Sequence, residues 1–242
     1  MNKDTIYIGL SFILALFAIF LIMERPVNNN KMYQEDKEDS TSVVQESPVL
    51  GDYNVSIDTK KSTLTWQGQR TILTTNINIG TLQFSSGNME IRDGELVGGE
   101  FIVDMNSFSL ISVHGLGPRE GGGDILLGHL LSSDFFNVEE YKEALFTITS
   151  SKRSESYANE YVVTGDMTIK DFTNEITFPV RLFKQNGFIV AEASLTLDRT
   201  LWDIRFGSKT FFDNLGDQVI DDKFSLEISL VSSSETIVEK MI

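Results

Sequence analysis

The residues best equipped for chemistry in this chain fall within one stretch, Asp124 to Asp134, "DILLGHLLSSD", in which a histidine is flanked by two carboxylates and two hydroxyls. His129 stands five positions from Asp124 and five from Asp134. Ligands that share a metal from one helix face sit three or four positions apart, so this spacing does not build a metal site. The chain has no cysteine, and its other histidine is His114, so a thiolate or multi-imidazole ligand set cannot be assembled. Ser132 and Ser133 are near His129 in sequence, but no G-x-S-x-G elbow presents a nucleophile, and adjacency alone is not a triad. The glycine-rich run Gly115 to Gly123 lacks the G-x-x-x-x-G-K-[ST] spacing of a phosphate cradle. His129 therefore reads as a hydrogen-bonded structural group. No catalytic residue, metal ligand or cofactor site is expected, and the chain is not expected to be an enzyme.

The elements that must position these residues are strands. From residue 52 onward the dominant hydrophobic period is two. In "KFSLEISLVSS", Phe224, Leu226, Ile228 and Leu230 alternate with polar residues, the pattern of a strand with one buried face. The same alternation runs through Leu64 and Trp66, Ile77 and Ile79, Leu82 and Phe84, Phe101 to Met105, Phe146 and Ile148, Met167 and Ile169, Ile176 to Val180, and Phe188 to Leu197. Turn signals at Ser85-Ser-Gly-Asn, Arg92-Asp-Gly and Gln185-Asn-Gly predict hairpins, and hence an antiparallel sheet. An all-β domain of eight or more strands follows. Closure into a barrel removes its edges most simply, and a sandwich is the alternative. Pro179 belongs at an edge or bulge. Between the strands, Asp124 is placed to cap a short helix, Ile125 to Leu131.

Composition changes twice before this domain. Ile6 to Met23 is an uncharged run of 18 residues, long enough to cross a bilayer. No small-residue cleavage site ends it, so residues 1–23 are expected to be an uncleaved transmembrane or signal anchor. Residues 24–50, rich in Asn, Glu, Asp, Lys and Ser, are expected to be a disordered acidic linker, with the folded domain at 51–242. Basic residues flanking the run, Lys3 against Arg25, Lys31 and Lys37, mildly favour a cytoplasmic domain. A net charge of −15 disfavours nucleic-acid partners. Nothing in the sequence decides between a monomer and a homodimer.

With 17 Phe and 2 Trp, the domain carries more aromatic surface than its polar strands suggest. Composition leaves open whether these rings fill a core or line a cavity. Here the motifs add a resemblance. "LLGHLLSSDFFNVEEYKEALFTI" resembles the signature of the YceI-like, polyisoprenoid-binding family through Gly128, His129, Leu130, Ser132, Asp134, Phe135, Phe136, Tyr141 and Phe146. "STLTWQGQR", "FIVDMNSF", "GDMTIKDFTNEITFPV" and "LDRTLWDIRFGS" resemble further strands of that family, so the likeness runs from about Tyr53 to Ser232. This chain departs from the family pattern at Asn78, Gly80 and Asp171 and in its glycine-rich insertion.

The resemblance implies an extended, lipocalin-like antiparallel barrel of about eight strands. It also implies a long isoprenoid, quinone-like or acyl lipid in the interior, and export to the periplasm. It makes the Leu126 to Phe136 stretch a short helical flap at the barrel mouth, with His129 orienting it. Strand alternation joined to family position gives the expected ligand-contacting residues as Trp66, Phe84, Phe101, Met105, Leu130, Phe135, Phe136, Phe178, Leu195, Trp202 and Phe206. The alternative is a non-catalytic interaction module whose barrel is filled by its own side chains.

Overall fold

A computed structural model describes residues 46–71, 75–113, 122–157, 159–216 and 219–233. The expected anchor at 1–23, most of the expected linker and His114 lie outside the described residues. Among the described residues there are ten strands: β1 (Glu46–Ser47), β2 (Tyr53–Ser56), β3 (Thr63–Thr71), β4 (Thr75–Arg92), β5 (Glu95–Ser112), β6 (Glu143–Arg153), β7 (Glu160–Ile169), β8 (Phe172–Gln185), β9 (Phe188–Asp198) and β10 (Lys223–Val231). Helix α1 (Gly122–Leu131) lies in the connection from β5 to β6, and a 3-10 turn (Arg199–Trp202) follows β9. Strands β3 to β10 pair antiparallel in chain order, and β10 returns to β3, which closes an eight-stranded barrel. β1 and β2 pair outside this ring, on β8 and β4.

Two of the expected hairpins form where the sequence places them. Asp93 and Gly94 have φ of 51° and 78°, and Asn186 and Gly187 have φ of 51° and 82°. That positive-φ pair is what a two-residue turn matching strand twist requires. The third expected turn, Ser85-Ser-Gly-Asn, is not a turn. It lies inside β4, an 18-residue strand whose register against β5 shifts between Phe84 and Ser86. Small polar residues here bend a long strand through a bulge instead of reversing it. Pro179 immediately precedes the point at which β9 joins β8, on a stretch of β8 with only β7 beside it, an edge position that tolerates a missing N–H.

The face of β4 also differs from the expectation that Ile77 and Ile79 point inward. Gly80 pairs with Trp66 and Asn78 with Gly68, so those two residues share the interior face of β3 and the isoleucines take the other. Space explains the choice. A Cβ on Gly80 would lie 2.6 Å from the Trp66 ring and against the Ser109 carbonyl oxygen, so only glycine lets the indole cover this strand.

The two ends of the barrel are built differently. At one end, the turn at Asp93 and Gly94 packs near the buried Val49, and the Tyr161 hydroxyl donates to the Gly94 carbonyl at 2.8 Å. Residues 46–50, placed by composition in the linker, pair and pack with the barrel. Glu46 and Ser47 pair with Gln185 and Lys184, Arg181 donates to Glu46 at 2.7 Å, and Val49 is 4% exposed. Removing this apolar side chain from water stabilises the segment that a linker composition alone would leave free. The other end carries α1, the β7–β8 turn and the 3-10 turn. Within α1, Asp124 is in the first turn instead of at the expected cap position, where its charge still complements the helix dipole.

Candidate ligand-binding site

The barrel interior is not filled. It encloses a cavity of about 490 Å³, within the range of ~300–1,000 Å³ typical of small-molecule sites. Trp66, Phe84, Phe101, Met105, Leu130, Phe135, Phe136, Phe178, Leu195 and Phe206 all line it. The strands deliver these side chains through their period of two, and α1 with the segment after it supplies Leu130, Phe135 and Phe136. The rings form two chains of contact. Trp66 meets Phe108 edge-on at 6.0 Å and Phe108 meets Phe136 at 5.1 Å, while Phe101 stacks on Phe146 at 6.5 Å and Phe146 meets Phe178 at 5.3 Å.

Trp202 is the exception among the expected residues. It is 0% exposed but does not line the cavity, and its Nε1–H donates to the Met167 carbonyl at 3.0 Å. The indole anchors the 3-10 turn to β7, a role in which its polar edge has a partner. Phe108 and Phe146 line the cavity without having been expected to. Phe146 was legible as an inward position on its strand. Phe108 was not, because Asp104 pairs with Gln83 and Ser109 already with Thr81, so β5 carries extra residues that reverse its alternation. That bulge is held by Ser107, whose hydroxyl donates to the Asp104 carbonyl and accepts from the Gln83 N–H at 2.7 Å.

The flap is tied to the barrel mouth through His129. Its Nδ1 lies 2.7 Å from Asp134 Oδ2, and its ring stacks on Phe206 at 5.2 Å. Phe206 in turn meets Phe135 at 5.4 Å. The Ser132 hydroxyl donates to the main-chain oxygen of His129 at 3.0 Å, so it does not engage the imidazole as a nucleophile would. Among the described residues, no group of three His, Asp or Glu side chains is placed to hold a metal ion.

Arg199 also lines the cavity, and it was not expected there. Its guanidinium donates to the carbonyls of Asp221, Ile204, Phe206 and Ile220 at 2.8 to 3.1 Å, and Nη2 lies 3.1 Å from Asp222. Burial pushes its pKa below the ordinary arginine value, an effect opposed by Asp222, Asp198 and Asp221. The side chain thus fastens the two segments that carry Phe206 and Ile220 to the mouth. Ile125 and Phe206 line the cavity while 53% and 39% exposed, which gives the mouth an apolar stretch of rim.

A closed antiparallel barrel with an aromatic, apolar interior and a helical flap defines the class: a β-barrel with a ligand-sized internal cavity. The YceI-like domain model matches residues 55–232, and the chain belongs to that family. Over short stretches it is similar to curated bacterial proteins. It is 48% identical over 54 residues to a UPF0312 protein of Photorhabdus laumondii subsp. laumondii, covering 22% of this chain and 24% of that one. It is 39% identical over 57 residues to Protein YceI of Escherichia coli O157:H7, covering 24% and 28%. The chain spans about a quarter of the length of the curated relatives it matches. Among solved structures, BcnA of Burkholderia cenocepacia superposes with a TM-score of 0.57 at 19% identity, covering 73% of this chain and 99% of that one. A polyisoprenoid binding domain from Saccharophagus degradans superposes with a TM-score of 0.50 at 15% identity, covering 73% and 95%. At these identities the superpositions speak to the fold.

Proposed function

We propose that this protein is a non-catalytic lipid-binding barrel that sequesters or carries a long-chain apolar molecule, isoprenoid, quinone-like or acyl, in its interior. The observation that carries the proposal is the cavity of about 490 Å³, walled by Trp66, Phe84, Phe101, Phe178 and their neighbours. Each methylene moved from water into such a space contributes about 0.8 kcal/mol, so a long chain is held without specific polar contacts. The fold shared with a protein described as polyisoprenoid binding supports the same reading. Residues 1–23 would anchor the domain to a membrane, and export to the periplasm would place it beside the bilayer from which its ligand is drawn. An apolar rim at Ile125 and Phe206 suits passage of an apolar chain between bilayer and cavity.

Filling the cavity tests this directly. Ala193 lines it from β9, where Ala193→Phe adds a ring to the lumen. The variant is expected to keep its β-sheet circular dichroism while its affinity for a fluorescent long-chain ligand falls at least tenfold. A folded variant that binds as tightly as the wild type would place the ligand elsewhere.

A further inference from the structure

Arg70 lines the same cavity from β3, four residues beyond Trp66 and two beyond Gly68, at the end where the flap lies. Its Nε is buried and has no hydrogen-bond partner, and among the described residues its side chain takes part in no ion pair. Arg199, which also lines the cavity, is engaged, donating to four carbonyls, and Arg181, which does not line it, is held by Glu46 and Glu192 at 2.7 Å each. In a chain with 35 acidic residues against 20 basic ones, carboxylates are not scarce. A buried guanidinium N–H left without an acceptor is costly, and the cost is removed when a ligand supplies one.

The surroundings leave room for such a group. A Cβ on Gly68 would meet only the Trp66 ring, at 3.9 Å, so the wall between the two side chains is recessed. Lys223 and the Asn78 amide, whose strand position faces Gly68, line the same end of the cavity. Asp221 lines it as well, and Glu192, also in the lining, is already bound to Arg181. Arg70 and Lys223 thus bring two cations to this end of the cavity, beside Asp221. A planar guanidinium fork fits a carboxylate or phosphate better than a hydroxyl or a carbonyl.

The geometry points to Arg70 as the receptor for an anionic ligand head. Resting on the lipid-binding reading above, the inference is that the cavity takes a long apolar chain ending in a carboxylate or phosphate. The head lies at Arg70, and the tail runs inward toward Met89 and Val163, both of which line the cavity and are 0% exposed.

The test compares tail-matched pairs on the full chain: hexadecanoate against hexadecanol, and a polyprenyl phosphate against the polyprenol of equal length. Affinities are read by displacement of a fluorescent long-chain ligand. The wild type is expected to prefer the anion of at least one pair by about tenfold or more, the scale of a charge-assisted hydrogen bond. The pair that shows the preference identifies the source of the head. Arg70→Gln should abolish the preference while still binding the alcohols, and Arg70→Lys should restore part of it. Alcohol binding with no anion preference, or a preference that survives Arg70→Gln, overturns the head-group assignment and leaves the lipid reading intact. Failure of every tail to bind the wild type overturns both.

Discussion

Arg199 and Arg70 both reach an apolar cavity, and their surroundings separate them. The first is saturated by main-chain carbonyls and holds the mouth together, while the second has a buried donor to spare. Neither difference is written in the sequence, where both are single arginines in polar company. The same limit explains Trp202. Alternation and motif position bring an indole to the barrel wall, but whether its ring faces the lumen depends on where its N–H finds an acceptor, here the Met167 carbonyl. Tyr141 offers a measurable case at this scale. Its hydroxyl donates to Asp171 at 2.8 Å, and that bond, with burial second, pushes its pKa up to about 12. The ordinary value is about 10, so the contribution to stability is complete below about pH 10 and is lost as pH rises through about 12. Alkaline absorbance titration is expected to show Tyr141 ionising late. Asp171→Asn should return it toward the ordinary range, leaving Tyr161, raised by burial, as a remaining late group. An unchanged titration in Asp171→Asn would show that the pairing does not persist in solution.

At the scale of elements, most strands and two hairpins were legible because period-two alternation and the Asp-Gly and Asn-Gly turns have few other physical uses. Ser85 to Asn88 misled because small polar residues serve bulges as readily as turns, and only the pairing partner decides. Phe108 was hidden by the bulge in β5. Gly80 carries information of another kind: a position where the Trp66 ring leaves no room for a Cβ. Gly80→Val should destabilise the barrel by about 3 kcal/mol, since overpacking at this contact must move the indole or the strand. The check is urea unfolding followed by fluorescence. A loss below about 0.5 kcal/mol, the scale of an ordinary surface change, would mean that β3 and β4 yield easily there.

For the whole molecule, closure was the inference that composition supported least directly. It rested on the number of strands and on the cost of exposed edges, and the pairing of β10 with β3 supplies it. Closure also settles what period-two alternation leaves open, because a ring of eight strands has one inward face, and side chains of ordinary size leave a cavity of about 490 Å³ within it. The domain boundary was less legible. Glu46 and Val49 belong to a polar stretch by composition, yet one pairs at a strand edge and the other is buried, since a single apolar residue suffices to seat a segment locally. The net charge of −15 disfavours adhesion of the molecule to anionic surfaces.

The central claim, that the barrel holds a long apolar chain, is tested most directly by native mass spectrometry of the full chain purified from a bacterial host, followed by organic extraction. The account predicts an added mass that survives gentle ionisation and that extraction releases as a molecule with an isoprenoid or acyl tail. A protein that flies at its bare mass, yields nothing to solvent and takes up no added lipid would contradict it.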